Sequence, residues 1–138
     1  MNDVLLDTDI LSEILKAKNP QVLAKARRYL AHHQRFAFSA ITLYEIMRGF
    51  LWSQATRALD EFLTLADGSS VLPASIPVLR RAADLWAEAY RHGHSRSDAD
   101  LIIAATALES KRMLVTGNTA HFAWIPGLTL TDWRSMKR

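Results

Sequence analysis

Short apolar runs alternate along this chain with longer stretches in which apolar residues recur every three or four positions. Val4-Leu5-Leu6 is the first run, and its length and polar flanks predict a short buried strand. It leads into Asp7-Thr8-Asp9, a polar cluster suited to starting a helix, after which Ile10, Leu11, Ile14 and Leu15 fall at helical spacing. Asn19-Pro20 marks a second helix start, with Asn as cap and Pro at the first helical position. Val22, Leu23, Ala26 and Leu30 give that helix an apolar face. Phe36-Ala37-Phe38 predicts the second strand, and Thr42-Leu43-Tyr44-Glu45 has capping-box spacing that opens a helix through about Leu51. Leu59, Phe62, Leu63 and Ala66 predict a further helix ending near Asp67-Gly68, and Val71-Leu72 a third strand before Pro73.

The second half repeats the alternation. From Ile76, the positions Leu79, Ala83, Trp86 and Tyr90 predict a long amphipathic helix whose inner face carries Trp86, and Gly93 stops it. Ser97-Asp98-Ala99-Asp100 starts a helix that is apolar nearly all round, from Leu101 to Leu108, and therefore belongs inside. Met113-Leu114-Val115 is the next strand, Gly117-Asn118 a turn, and Leu128-Thr129-Leu130 a last edge strand. Strands alternating with helices predict an α/β fold with a mostly parallel central sheet and helices on both faces.

Composition narrows the chemistry. A chain of 138 residues is expected to form one domain, residues 1–138, with a core that needs no covalent staple. The absence of cysteine removes disulfides, thiolate metal sites and cysteine nucleophiles, and fits a cytoplasmic setting. No segment reaches the roughly 20 apolar residues of a membrane span, and Met1-Asn2-Asp3 lacks the basic start of a secretion signal. The formal charge of +3 permits a polyanionic partner without requiring one.

Three acids stand out because they lie beside strongly apolar segments, where an unpaired charge is expensive. Asp7 follows the first strand directly, and Glu45 and Asp100 are expected in the first turns of their helices. In an open α/β sheet, ligands bind beyond the carboxyl ends of the strands. Each acid also has a purely structural role open to it: Asp7 as a helix cap, Glu45 as the capping-box partner of Thr42, Asp100 as that of Ser97. Clustered carboxylates repel one another, and a hard divalent cation such as Mg²⁺ removes that repulsion while activating water.

Four segments then carry a family resemblance. Leu5-Leu6-Asp7-Thr8-Asp9-Ile10-Leu11-Ser12, Ser39-Ala40-Ile41-Thr42-Leu43-Tyr44-Glu45-Ile46-Met47-Arg48-Gly49, Asp100-Leu101-Ile102-Ile103-Ala104-Ala105, and Leu114-Val115-Thr116-Gly117-Asn118-Thr119-Ala120-His121-Phe122 resemble, in order and spacing, a PIN-domain ribonuclease of the VapC toxin type. The resemblance runs from about residue 3 to residue 133. It implies a PIN-like α/β/α sandwich, cleavage of RNA, Mg²⁺ (or Mn²⁺) as cofactor, a small antitoxin partner and a homodimer. Under it Asp7 and Asp100 are the principal metal ligands, and Glu45 ligates through water or orients the attacking water. Asn118 stands where some members carry a fourth acid. Thr116 and Asp9 support the site from behind, and Arg48 is a candidate for substrate phosphate.

Two other functions compete. Asp7-Thr8-Asp9 resembles the start of haloacid-dehalogenase-type phosphatases, with Asp7 as nucleophile, although Leu11 departs from that pattern. A PIN scaffold that binds RNA or a partner without cutting is the non-enzymatic alternative. Asp98 reads as a first-turn helix acid. Trp52, Trp124 and Trp133 are expected in packing or interfaces rather than stacked on bases, and Phe50, Leu51 and Trp52 as contacts for a partner. His32, His33, His92 and His94 lack convincing metal spacing, which leaves His121, near Asn118, as the histidine of interest.

Overall fold

The computed structural model describes residues 2–135; Met1 and residues 136–138, the ends of the expected 1–138 domain, lie outside the described residues. The elements run β1 (Val4–Leu6), α1 (Thr8–Lys16), α2 (Pro20–His33), β2 (Ala37–Ser39), α3 (Ala40–Trp52), α4 (Thr56–Asp67), β3 (Ser70–Leu72), α5 (Ile76–Arg91), α6 (Asp98–Glu109), β4 (Met113–Val115), α7 (Thr119–Phe122) and β5 (Leu130–Thr131). The strands form one sheet in the order β3-β2-β1-β4-β5, and all four pairings are parallel. Chain order reverses between β1 and β4, so the topological switch point, where open α/β sheets bind ligands, lies between their carboxyl ends.

Successive strand residues point to opposite faces of the sheet, and the two cores divide accordingly. Val4, Leu6, Phe38 and Val115 pack with α1, α2 and α4 through Ile10, Leu11, Val22 and Phe62. Leu5, Ala37 and Leu114 pack on the other side with Val78, Leu85, Ile103 and Phe122. The result is the expected α/β/α sandwich. The helix α6 is buried on most of its circumference, as its apolar sequence requires.

The start of α2 is as expected: Asn19 accepts from Gln21 and Val22 backbone N–H groups, and Pro20 is the first helical residue. Gly93, with φ +76°, follows the end of α5 in a conformation that favours glycine. The final strand is shifted to Leu130–Thr131, where it pairs with β4. Beyond the Gly117-Asn118 turn the chain forms a short helix that periodicity does not reveal, since four residues are only one turn.

Two expectations are corrected. The helix α3 is capped by Ser39, whose Oγ accepts from the Ile41 N–H at 3.2 Å, and not by Thr42, which is buried inside the helix. Glu45 is therefore in the second turn and is not a capping-box partner. The buried face of α5 is Val78, Ala82, Leu85 and Ala89. Leu79, Ala83, Trp86 and Tyr90 lie on its exposed face, with Trp86 45% exposed and stacked on Tyr90 at 4.2 Å between ring centroids. This helix packs on α6, and its buried residues share one core with Ala104, Ala105 and Ala107 of that helix.

Candidate active site

Pairing of Leu6 with Val115 brings the ends of β1 and β4 side by side. Asp7 comes next in the first strand, and its backbone N–H donates to the Val115 carbonyl at 3.0 Å. Its carboxylate also caps α1, with Oδ1 accepting from the Ile10 N–H at 2.8 Å. Thr116 follows β4; its hydroxyl accepts from the Asn118 N–H at 3.1 Å and bonds the Asp7 carboxylate. The helix-capping role open to Asp7 is thus filled.

Asp7 is only 6% exposed. Burial pushes its pKa from 3.8 up to about 6, against the opposing hydrogen bonds from Thr116 and Ile10, and the charges of Asp9 and Asp100 push it further in the same direction. Asp9 is an exposed acid in the first turn of α1. Asp100 sits in the first turn of α6, where its N–H donates to the Ser97 Oγ at 3.1 Å. Its Oδ2 lies 3.0 Å from the His121 Nε2. A carboxylate only accepts, so this imidazole nitrogen carries the proton. Both Asp7 and Asp100 stand at helix N-termini, whose dipoles favour negative charge.

Glu45 reaches the site by another route. The Thr8 hydroxyl donates to Glu45 Oε1 at 2.7 Å and lies 3.0 Å from the Thr42 hydroxyl. With its one proton given to Glu45, Thr8 can only accept from Thr42. A buried threonine on α3 thus orients a threonine on α1, which in turn holds the glutamate. Thr8→Val should remove this support and strand the Thr42 hydroxyl in the core, at a cost of about 1–3 kcal/mol in stability measured by urea unfolding. Thr8→Ser should recover most of it.

The other expected residues are placed as follows. Arg48 lies 3.7 Å from Glu45 Oε2 and 5.1 Å from the Tyr44 ring centroid, so it pairs with an acid while staying largely exposed. Asn118 is exposed and precedes α7 without a side-chain capping bond. Asp98 is a first-turn acid of α6 and lines a cavity with Leu79, Trp86 and Leu101. Trp133 is core, against Tyr29, whereas Trp52 is 88% exposed. Phe50 packs on the core and Leu51 is exposed. Among the other histidines, His33 pairs with Asp3 and His92 with Glu88.

Sequence reasoning missed Thr8 and Thr42 as supports of Glu45. Neither periodicity nor spacing reports the approach of α1 to α3 that makes them neighbours. Among the described residues no three acids or histidines converge into a ready-made metal cage. The donors nonetheless suit a hard divalent ion. They are oxygens, and among the described residues neither Asp7, Asp9 nor Asp100 has a lysine or arginine partner. Mg²⁺ typically takes one or two carboxylates and keeps several waters, which fits a pair better than a cage.

This arrangement has counterparts among known proteins. Residues 4–126 match the PIN domain family. VapC ribonuclease Y4jK of Sinorhizobium fredii is 32% identical over 127 residues, which span 86% of this chain and 89% of that protein. The tRNA(fMet)-specific endonuclease VapC of Shigella flexneri is 27% identical, over 94% of this chain and 96% of its own length. The solved structure of a DNA-bound VapBC from Salmonella typhimurium superposes with a TM-score of 0.85 at 28% identity, over 96% of this chain and 99% of the other. These matches separate the chain from haloacid-dehalogenase-type phosphatases: it belongs to the PIN domain family and, within it, to the VapC ribonucleases.

Proposed function

We propose that this chain is the toxin of a VapBC-type pair, a single-domain, Mg²⁺-dependent endoribonuclease in which Asp7 and Asp100 hold the ion and Glu45 orients the attacking water. The observation that carries this reading is the buried Asp7 carboxylate at the switch point, with Asp9 and Asp100 as its charged neighbours and no basic partner among the described residues. A bound ion supplies Lewis-acid polarisation of the phosphodiester and acidifies the water that attacks phosphorus; Mn²⁺ offers the same. Thr8 fixes the Glu45 carboxylate, Thr116 fixes Asp7, and Asp9 adds negative potential from the rim. Arg48, one turn beyond Glu45, exchanges that carboxylate for a substrate phosphate. The purified chain should cut total cellular RNA with Mg²⁺ and stop when EDTA is added, and sequencing the new ends gives the cleavage position. Binding of RNA without cleavage would favour the non-catalytic scaffold.

An antitoxin partner is supported by a groove of about 420 Å³ beside the site, with Leu15, Ile46, Phe50 and Ala58 in its lining and Glu45 among its residues. A helix with one apolar face fills such a groove, and a cationic side chain beyond it reaches the acids. Leu51 and Trp52 are exposed on the same helix and extend the contact. A homodimer is supported by the exposed stripe on α5, Ile76, Leu79, Trp86 and Tyr90. Two copies of that stripe meet in an isologous interface. Light scattering should give twice the monomer mass for the wild type and a monomer for Trp86→Glu. We further place the protein in the cytoplasm, where its RNA substrates are; among the described residues no helix is long and apolar enough to cross a membrane.

A further inference from the structure

We infer that His121 is a positioning residue that holds the Asp100 carboxylate in one orientation, favouring ligation by a single oxygen, and so sets the site's preference for a small cation, Mg²⁺ over Ca²⁺. The inference rests on the reading of Asp7 and Asp100 as metal ligands. The imidazole Nε2 donates to Asp100 Oδ2 at 3.0 Å, which leaves Oδ1 for an ion.

This imidazole is held from its own backbone. The His121 N–H donates to the Asn118 carbonyl at 3.0 Å. Its carbonyl accepts from Arg96 Nε at 3.2 Å and from Trp124 Nε1 at 3.1 Å. The ring meets the edge of Phe122, a buried core residue, at 5.5 Å between centroids. A one-turn helix that carries no capping bond of its own is thus tied down at the residue that touches Asp100. Such fixation is wasted on a solvated surface histidine, but it is what a residue needs if it is to hold a carboxylate in one orientation.

The consequence for metal choice follows from ligand geometry. Ca²⁺ takes six to eight oxygens at about 2.3–2.6 Å and often uses both oxygens of a carboxylate. Mg²⁺ demands near-octahedral geometry at about 2.0–2.1 Å and is content with single oxygens and water. With one lone pair of Oδ2 taken by His121, chelation by both oxygens of Asp100 must use the lone pair that remains, in the carboxylate orientation that the imidazole imposes. This constraint falls on Ca²⁺ and spares Mg²⁺.

Melting-temperature titrations with MgCl₂ and with CaCl₂ at fixed ionic strength test this on the whole protein in wild-type, His121→Ala, His121→Gln and Asp100→Asn forms. The wild type should prefer Mg²⁺. His121→Ala should bind Mg²⁺ about 10-fold more weakly, the scale on which partners of metal ligands act, and its Mg²⁺ to Ca²⁺ preference should narrow or invert. His121→Gln, whose amide can donate to the same oxygen, should restore most of the preference. A merely structural role would lower the melting temperature without metal and leave the preference intact. Unchanged Mg²⁺ and Ca²⁺ affinities in His121→Ala, with binding lost in Asp100→Asn, would overturn the role of His121 alone. Unchanged Mg²⁺ binding in Asp100→Asn would overturn the metal site and the inference with it.

Discussion

In metal-free buffer at pH 7.5, Asp7→Asn should be more stable than the wild type by up to about 3 kcal/mol, a rise on the order of 10 °C in melting temperature. Two facts combine to give this. Asparagine caps a helix about as well as aspartate, so the bond from the Ile10 N–H survives the change. The charge that is removed is the one that burial disfavours, as the rise from 3.8 to about 6 records. Because the folded-state value lies above the unfolded one, the native protein holds this proton more tightly. The stability it contributes is fully present below about pH 3.8 and is lost as the pH rises through about 6. The advantage of the variant should therefore shrink steadily between pH 6 and pH 4, as urea unfolding at each pH would show. Mg²⁺ should raise the melting temperature of the wild type by binding its native state and leave the variant nearly unaffected. An Asp7→Asn protein less stable than wild type at pH 7.5 would mean that the carboxylate serves the helix alone.

The second large effect is on cleavage. Asp7→Asn and Asp100→Asn should each lose about 10³-fold or more in rate, the upper range for removing one preorganised electrostatic partner, while far-ultraviolet circular dichroism stays that of the wild type. A residue whose neutralisation stabilises the fold and abolishes the reaction is being kept for chemistry against its cost to stability. Glu45→Gln should fall in the same direction by less, since the amide can still accept from Thr8 and still orient a water.

Much of this arrangement was legible in the chain itself, for physical reasons that differ by element. The strands β1, β2 and β4 stood out because each contains a short apolar run that is largely buried. The acids stood out because each interrupts or borders such a run. The face of α5 did not, because two adjacent stripes of that helix are both apolar, and periodicity does not say which of them turns inward. The cap of α3 is ambiguous in sequence because Ser39 and Thr42 are both competent caps three positions apart, and the end of β2 selects the first. The hydroxyl chain from Thr42 through Thr8 to Glu45, and the contact of His121 with Asp100, depend on residues separated by 34, 37 and 21 positions. No local pattern reports such contacts.

Whether Asp7 and Asp100 form a metal-dependent RNA-cleaving centre is decided by a time course of RNA cleavage by purified wild-type and Asp100→Asn proteins across a Mg²⁺ titration, with RNA binding measured on the same samples. Cleavage by the wild type should rise with Mg²⁺ and vanish with EDTA, and Asp100→Asn should be folded and bind RNA without cutting it. A folded Asp100→Asn protein that cuts RNA at the wild-type rate would contradict this assignment of the centre.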